Sequence, residues 1–180
     1  MMIRAIRFNL YLFAGVSLFL GCQSSPEAKH QQEVSTLRLH LEAPREQDDR
    51  SLEIKISRGN PIPIRVLNDS FLDEAYVSKA EVVDDGTGGY QLQIQFNRHG
   101  SWMLEQHSAG NQGKHLAVFS EFRQPSSEVH ESRWLAAPKI TRRIIDGKLT
   151  FTPDATREEA EQIVHGLMNV ARKHDEPSKW

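Results

Sequence analysis

An α+β domain, an antiparallel sheet with two helices packed on one face, is what this sequence predicts. Tyr90-Gln-Leu-Gln-Ile-Gln-Phe96 alternates apolar and polar residues without a break, directly after the turn cluster Asp84-Asp-Gly-Thr-Gly-Gly89; such a pair is the mark of a β-hairpin. Ala160, Ile163, Val164, Leu167, Met168 and Ala171 recur at helical spacing behind Thr156-Arg-Glu-Glu159, a capping box followed by one apolar stripe. With several further alternating runs, these two features suggest antiparallel strands with the helices on one face.

The chain opens with Arg4 and Arg7 and no acid, followed by the apolar run Phe8 to Leu20. A spanning helix needs about 20 apolar residues, and a shorter run behind a basic start has the form of a signal peptide. The run ends in Phe19-Leu-Gly-Cys22, then Gln-Ser-Ser-Pro. This resembles a lipobox, in which a small residue precedes a cysteine that is lipidated and becomes the new N-terminus. Cys22 is the only cysteine of the 180 residues, so lipidation accounts for an otherwise unexplained thiol and no intramolecular disulfide is available. The expected organisation is therefore a lipoprotein signal peptide over 1–21, a flexible polar tether over 22–35, one domain over 36–173 and a polar tail over 174–180. Losing Arg4 and Arg7 leaves 20 basic against 24 acidic side chains, a net charge near −4. That balance gives no electrostatic reason to expect nucleic acid as a partner. No second apolar run reaches spanning length, so membrane contact is expected through the lipid anchor, outside the cytoplasm of a bacterial cell.

Within the domain, Leu37, Leu39 and Leu41 alternate, as do Leu52, Ile54 and Ile56, and each set predicts a strand. Ile62 to Val66 is strand-like, but Pro61 and Pro63 confine it to an edge. Phe71 to Ala75 is a short turn, and Tyr76 to Asp84 leads into the hairpin. Gly100 to Gly110 predicts a short helix capped by Ser101 and closed by Gly110. Lys114 to Phe122 is a strand, Arg123 to Arg133 a polar loop, and Trp134 to Ile145 an extended stretch in which Pro138 marks a bulge or an edge. Asp146-Gly-Lys is a turn, and Leu149 to Thr152 a last short strand before the terminal helix.

Eight histidines invite a search for a metal or catalytic site. His99, His107 and His115 are evenly spaced, yet they fall before, within and after the short helix. There is no His-Glu-x-x-His, no His-x-His and no cysteine pair, so neither a metal nor a cofactor is expected. Gly-x-Ser-x-Gly is absent, and Gly86, Gly88 and Gly89 precede a strand, so they form no phosphate cradle. Asp84 and Asp85 lack the spacing and terminal Glu of an EF-hand loop, and Glu158 and Glu159 suit a helix start. Trp102 and Trp134 are expected in the core. A competing role for Trp134 comes from the loop Arg123 to Arg133: it is long, polar, and bracketed by Phe122 and Trp134, which makes these two aromatics candidate anchors for a protein partner.

Two stretches carry a family pattern. One is Tyr90-Gln-Leu-Gln-Ile-Gln-Phe, Gly100 to Asn111, then Gly113-Lys-His-Leu-Ala-Val-Phe; the other is Ala136-Ala-Pro-Lys-Ile, Ile145-Asp-Gly-Lys-Leu-Thr-Phe and the helix from Thr156 to Leu167. Together they resemble the head of the first periplasmic domain of SecD, a subunit of the SecDF protein-export complex, over roughly Tyr76 to Lys173. The resemblance implies the α+β fold and contact with an exported polypeptide or another protein at the cell envelope. It does not imply an export motor, because SecD couples export to the proton gradient through transmembrane helices, and the loop Arg123 to Arg133 is longer than the tight turn usual there. A non-catalytic binding lipoprotein is the leading expectation. An envelope hydrolase with a site assembled only in three dimensions and a purely structural envelope component stand as alternatives, since a fold carries no function by itself.

Overall fold

The computed structural model describes residues 33–44, 49–57, 59–125, 127 and 129–175. These contain nine strands and two α-helices: β1 (Arg38–Leu41), β2 (Ser51–Ile56), β3 (Ile62–Leu67), β4 (Leu72–Asp73), β5 (Val77–Asp84), β6 (Tyr90–Phe96), α1 (Arg98–Gly110), β7 (Leu116–Arg123), β8 (His130–Ala136), β9 (Lys148–Phe151) and α2 (Arg157–Asp175). The fold is α+β and every described strand pair is antiparallel. The strands divide among three sheets, in the orders β4-β1-β7-β8, β2-β3 and β5-β6-β9.

The division follows from which faces are buried. Leu37, Leu39, Leu41, Leu116, Val118, Phe122 and Leu135 point from the four-stranded sheet into one cluster. That cluster also takes Leu92, Ile94 and Phe96 of β6, Leu149 and Phe151 of β9, Leu104 of α1, and Ala160, Ile163 and Leu167 of α2. Helix α2 thus buries its apolar stripe, and α1 its Leu104, in the same core, and each fully buried Leu or Ile contributes about 1.5–3 kcal/mol. A second, smaller cluster of Ile54, Ile56, Val66 and Ala117, with Trp134 packed against it, lies on the opposite face of β7 and β8. The β2–β3 hairpin closes this face. Pro63 sits opposite Lys55 in that hairpin, and among the described residues the other side of β3 meets only an isolated bridge from Glu42 to Val66, an edge position that suits its proline.

Helix α2 begins as its sequence demands. The Glu159 N–H donates to Thr156 Oγ1 at 3.2 Å and the Thr156 N–H donates to Glu159 Oε2 at 2.7 Å, closing the capping box. The start of α1 corrects the expected cap. Asn97, rather than Ser101, accepts the Gly100 N–H at 2.9 Å, and the Ser101 hydroxyl donates back to the Phe96 carbonyl at 3.1 Å. Its end differs too: Asn111 follows the last turn and its side-chain amide donates to the His107 carbonyl at 2.9 Å.

The expected tether also ends earlier than residue 35. Ser35 is 2% exposed, and the Glu33 carbonyl accepts from the Asn169 side chain at 2.9 Å while its carboxylate accepts from Arg123 at 2.9 Å. Gly166 makes this approach possible, because a Cβ there would stand 2.5 Å from the Ser35 backbone nitrogen. Polar contacts of this kind leave no apolar periodicity in the sequence.

His40 is 8% exposed on the β1 face that meets Trp134, whose ring lies edge-on at 5.1 Å. Its Nδ1–H donates to the Leu67 carbonyl at 2.9 Å. Burial pushes the His40 pKa below the ordinary 6.5, and the nearby Arg38 adds to this, while the Leu67 carbonyl and Asp69 oppose it. The unfolded chain therefore binds a proton more readily than the folded one. Stability is full above the unfolded pKa and declines as the pH falls through it toward the lowered folded value. His107, stacked on Phe71 at 4.2 Å, is lowered by burial in the same sense. In urea unfolding at about pH 7.5 and about pH 5.5, a His40→Gln variant is expected to lose less stability on acidification than the wild type. An equal loss in both proteins would show that His40 takes no part in the decline.

Candidate interaction site

The buried stripe of α1 is Gly100, Leu104 and Ser108. Trp102, two residues on from Gly100, stands about 200° around the helix and is 56% exposed. This overturns its expected place in the core. It does not stand alone: the His99 ring lies 5.9 Å from Trp102 and the Tyr76 ring 5.3 Å from His99, so three rings form a strip along the surface. A buried face made of Gly100, Leu104 and Ser108 leaves little apolar pattern in the sequence from which to place Trp102.

Beside α1 runs the segment 137–147, which joins β8 to β9. Its first half is held to the start of β7: the Leu116 N–H donates to Pro138 at 2.9 Å, and the Ile140 N–H to Lys114 at 2.8 Å. Its second half is held to α1, where the Ile144 N–H donates to Ser108 Oγ at 2.9 Å and Arg143 pairs with Glu105. Gly147, with φ 65°, closes against Ser101 so tightly that a Cβ would fall 2.0 Å from the hydroxyl oxygen. Strand β8 stops at Ala136, and beyond it only a single bridge, Lys139 to His115, continues the expected extended pairing.

Between this segment and β9 lies an open groove of about 750 Å³. Ile144 and Ile145 supply apolar lining, Lys139, Arg142, Arg143 and Lys148 positive charge, and Asp146 the one carboxylate. Ile145 is 73% exposed. A second hollow of about 430 Å³ follows the far end of β9 along Phe151 and Thr152, and Pro138 borders both. The titratable lining of the groove is thus cationic, although the chain as a whole carries a net charge of −2. Its imidazoles are elsewhere: His99 and His107 are ring partners on α1, and His115 meets the Glu42 carboxylate at 2.7 Å. Among the described residues no group of histidine, cysteine, aspartate and glutamate is placed to hold a metal ion.

The aromatics expected to anchor a partner are placed otherwise. Phe122 is 0% exposed in the main core, under the Arg133 guanidinium at 5.2 Å from its ring, because strand alternation turns it inward with Val118. It is unavailable to a partner. Trp134 is half-buried against the second cluster, between His40 and Phe119 at 5.1 Å each. The loop they bracket is also shorter than expected, since Phe122 and Arg123 pair with Glu131 and His130, leaving 124–129 as the connection. Cys22 lies outside the described residues.

Below the loop, Arg133 of β8 donates to both oxygens of Glu159 at 2.8 and 2.9 Å, to the Asp154 carbonyl at 2.9 Å, and to Glu131. Hydrogen bonds from Arg133 and Gln124 hold the Glu131 carboxyl below its usual range, and those to Glu159 and Glu131 raise the guanidinium further still. These charges are locked to one another, which suits a fastening between β8 and α2.

An antiparallel α+β head with an open groove at its sheet edge defines a class of domain, and comparison with known proteins identifies it. The family model of the SecDF P1 head subdomain matches residues 50–169. The chain belongs to that family, and the match reaches further toward the N-terminus than the resemblance over Tyr76 to Lys173. Two solved structures share the fold. One, of the membrane component SecDF that enhances protein export, is 18% identical with a TM-score of 0.53, over 79% of this chain and 66% of that chain. The other, SecDF in a super-membrane-facing form, is 19% identical with a TM-score of 0.53, over 81% of this chain and 21% of that one. The chain therefore spans only part of the length of either. No curated protein sequence matches it. Among the described residues no helix is long and apolar enough to cross a membrane.

Proposed function

We propose that this protein is a lipid-anchored extracytoplasmic lipoprotein whose SecD-like head binds, without catalysis, an exported polypeptide or a protein partner at the bacterial cell envelope. The observation that carries the reading is the groove between β9 and the segment 137–147, flanked by exposed Ile145 and open along the strand. An exposed apolar residue at the mouth of a cleft on a rigid scaffold is suited to a partner rather than to solvent. Family membership supports the same reading, since the SecDF structures of matching fold come from a component described as enhancing protein export. Recovery of the full chain from detergent-solubilised membranes, followed by identification of what accompanies it, tests the reading. Unfolded or partly exported polypeptides are expected in the eluate, and recovery of the protein alone after crosslinking would contradict it.

The anchor rests on Cys22 behind the apolar run. A Cys22→Ser variant is expected to accumulate as uncleaved precursor or to leave the membrane fraction. Intact mass of the wild type showing an unmodified thiol at Cys22 would end the lipoprotein reading while leaving the head's binding role in place.

A further inference from the structure

We infer that the outer edge of β9 takes an extended acidic segment of the bound polypeptide as an added β-strand; this rests on the polypeptide-binding reading and specifies its site and chemistry. Among the described residues strand β9 ends its sheet, pairing with β6 alone. The Phe96 N–H donates to the Gly147 carbonyl at 3.0 Å, and the same register sets Ile94 against Leu149 and Leu92 against Phe151. In an antiparallel ladder the main-chain groups alternate in direction. Those of Gly147, Leu149 and Phe151 therefore face β6, and those of Lys148 and Thr150 face the groove. The Lys148 N–H is taken by the Asp146 carboxylate at 3.1 Å. What remains along the edge is the Lys148 carbonyl with both main-chain groups of Thr150, the pattern an incoming strand uses.

Several other edges are obstructed. On β5 a bulge falls between Val77 and Lys79, and Lys79 pairs with Glu81 at 2.7 Å. On β8 the Leu135 carbonyl is occupied by the Asp154 N–H at 2.7 Å. Strand β4 has only two residues, and Pro63 interrupts β3. Beside β9 the two hollows leave the edge open from Lys148 to Thr152, room for about five residues at ~3.3 Å each.

Charge selects the occupant. No described ion pair engages Lys139 or Arg142, both exposed in the groove wall. Lys148 adds a third positive charge, and the Asp146 carboxylate is turned to its own turn. Acidic side chains on an added strand meet these cations, and an apolar side chain between them meets Ile144 and Ile145.

The test uses the full chain in detergent micelles at low salt. Its probes are two fluorescein-labelled peptides of identical apolar content, one alternating valine with glutamate and one alternating valine with lysine. The acidic peptide is expected to bind at least about tenfold more tightly, worth about 1.4 kcal/mol, and to slow hydrogen exchange at the Thr150 amide. Thr150→Pro leaves the β6 ladder intact, because the lost N–H faces outward, and is expected to abolish that preference. Arg142→Glu with Lys148→Glu alters only exposed side chains and is expected to reverse it, which keeps the test decisive should the proline variant misfold. Equal affinity for the two peptides, or a preference unchanged in the charge-reversed protein, overturns the inference. If an unfolded polypeptide still binds in that case, the polypeptide-binding reading stands and only the β9 edge is wrong.

Discussion

An Arg133→Met variant is expected to be about 3–5 kcal/mol less stable than the wild type. Methionine keeps most of the side-chain volume, so the loss comes from charge. Arg133 and Glu159 side chains are 7% and 11% exposed, and the two forked hydrogen bonds between them are the main compensation for burying Glu159. Without the guanidinium, Glu131 and Glu159 stand near each other with no cation between them, and Asp154 loses the donor to its carbonyl. Glu159 also completes the cap of α2, so the damage extends to the helix start. Urea unfolding followed by circular dichroism measures the effect. Replacing both partners, Arg133→Met with Glu159→Leu, is expected to recover more than half of the loss. A single-variant loss below about 1 kcal/mol would place Arg133 among surface pairs of little energetic consequence.

Leu167→Ala is expected to cost about 2–5 kcal/mol. Leu167 is 0% exposed at the centre of the α2 stripe and shares its cluster with residues of β1, β6, β7 and α1, so no single neighbour can move to fill the space. Val164 and Met168, at the margin of the stripe, are only partly buried, and their truncation is expected to cost less. A loss below about half a kcal/mol at Leu167 would mean that the helix turns another face inward.

Some of this structure was legible in the sequence and some was not, for physical reasons. The β5–β6 hairpin and α2 are local: alternation, a glycine turn, a capping box and a stripe each lie within one stretch of chain. The division into three sheets is not local. Strand β1 buries Leu39 and His40 on opposite faces, so its leucine alternation reports one covered side and hides the other. Phe122 and Trp134 looked like a matched pair flanking a loop, whereas pairing between Phe122 and Glu131 draws the loop closed and turns the two aromatics toward different cores. Ser120 is buried without any apolar signal because its hydroxyl donates to the Thr36 carbonyl at 2.7 Å. The groove was the least legible feature. Lys139, Arg142 and Lys148 fall within ten positions of one another, but only the knowledge that β9 ends its sheet brings them to an open edge.

Binding of an unfolded polypeptide tests the account most directly. The full chain in detergent micelles, titrated with a reduced and carboxymethylated protein and separately with the same protein in its folded form, is expected to bind the unfolded form saturably and the folded form not at all. Absence of saturable binding to the unfolded form, or equal binding of both, would contradict it.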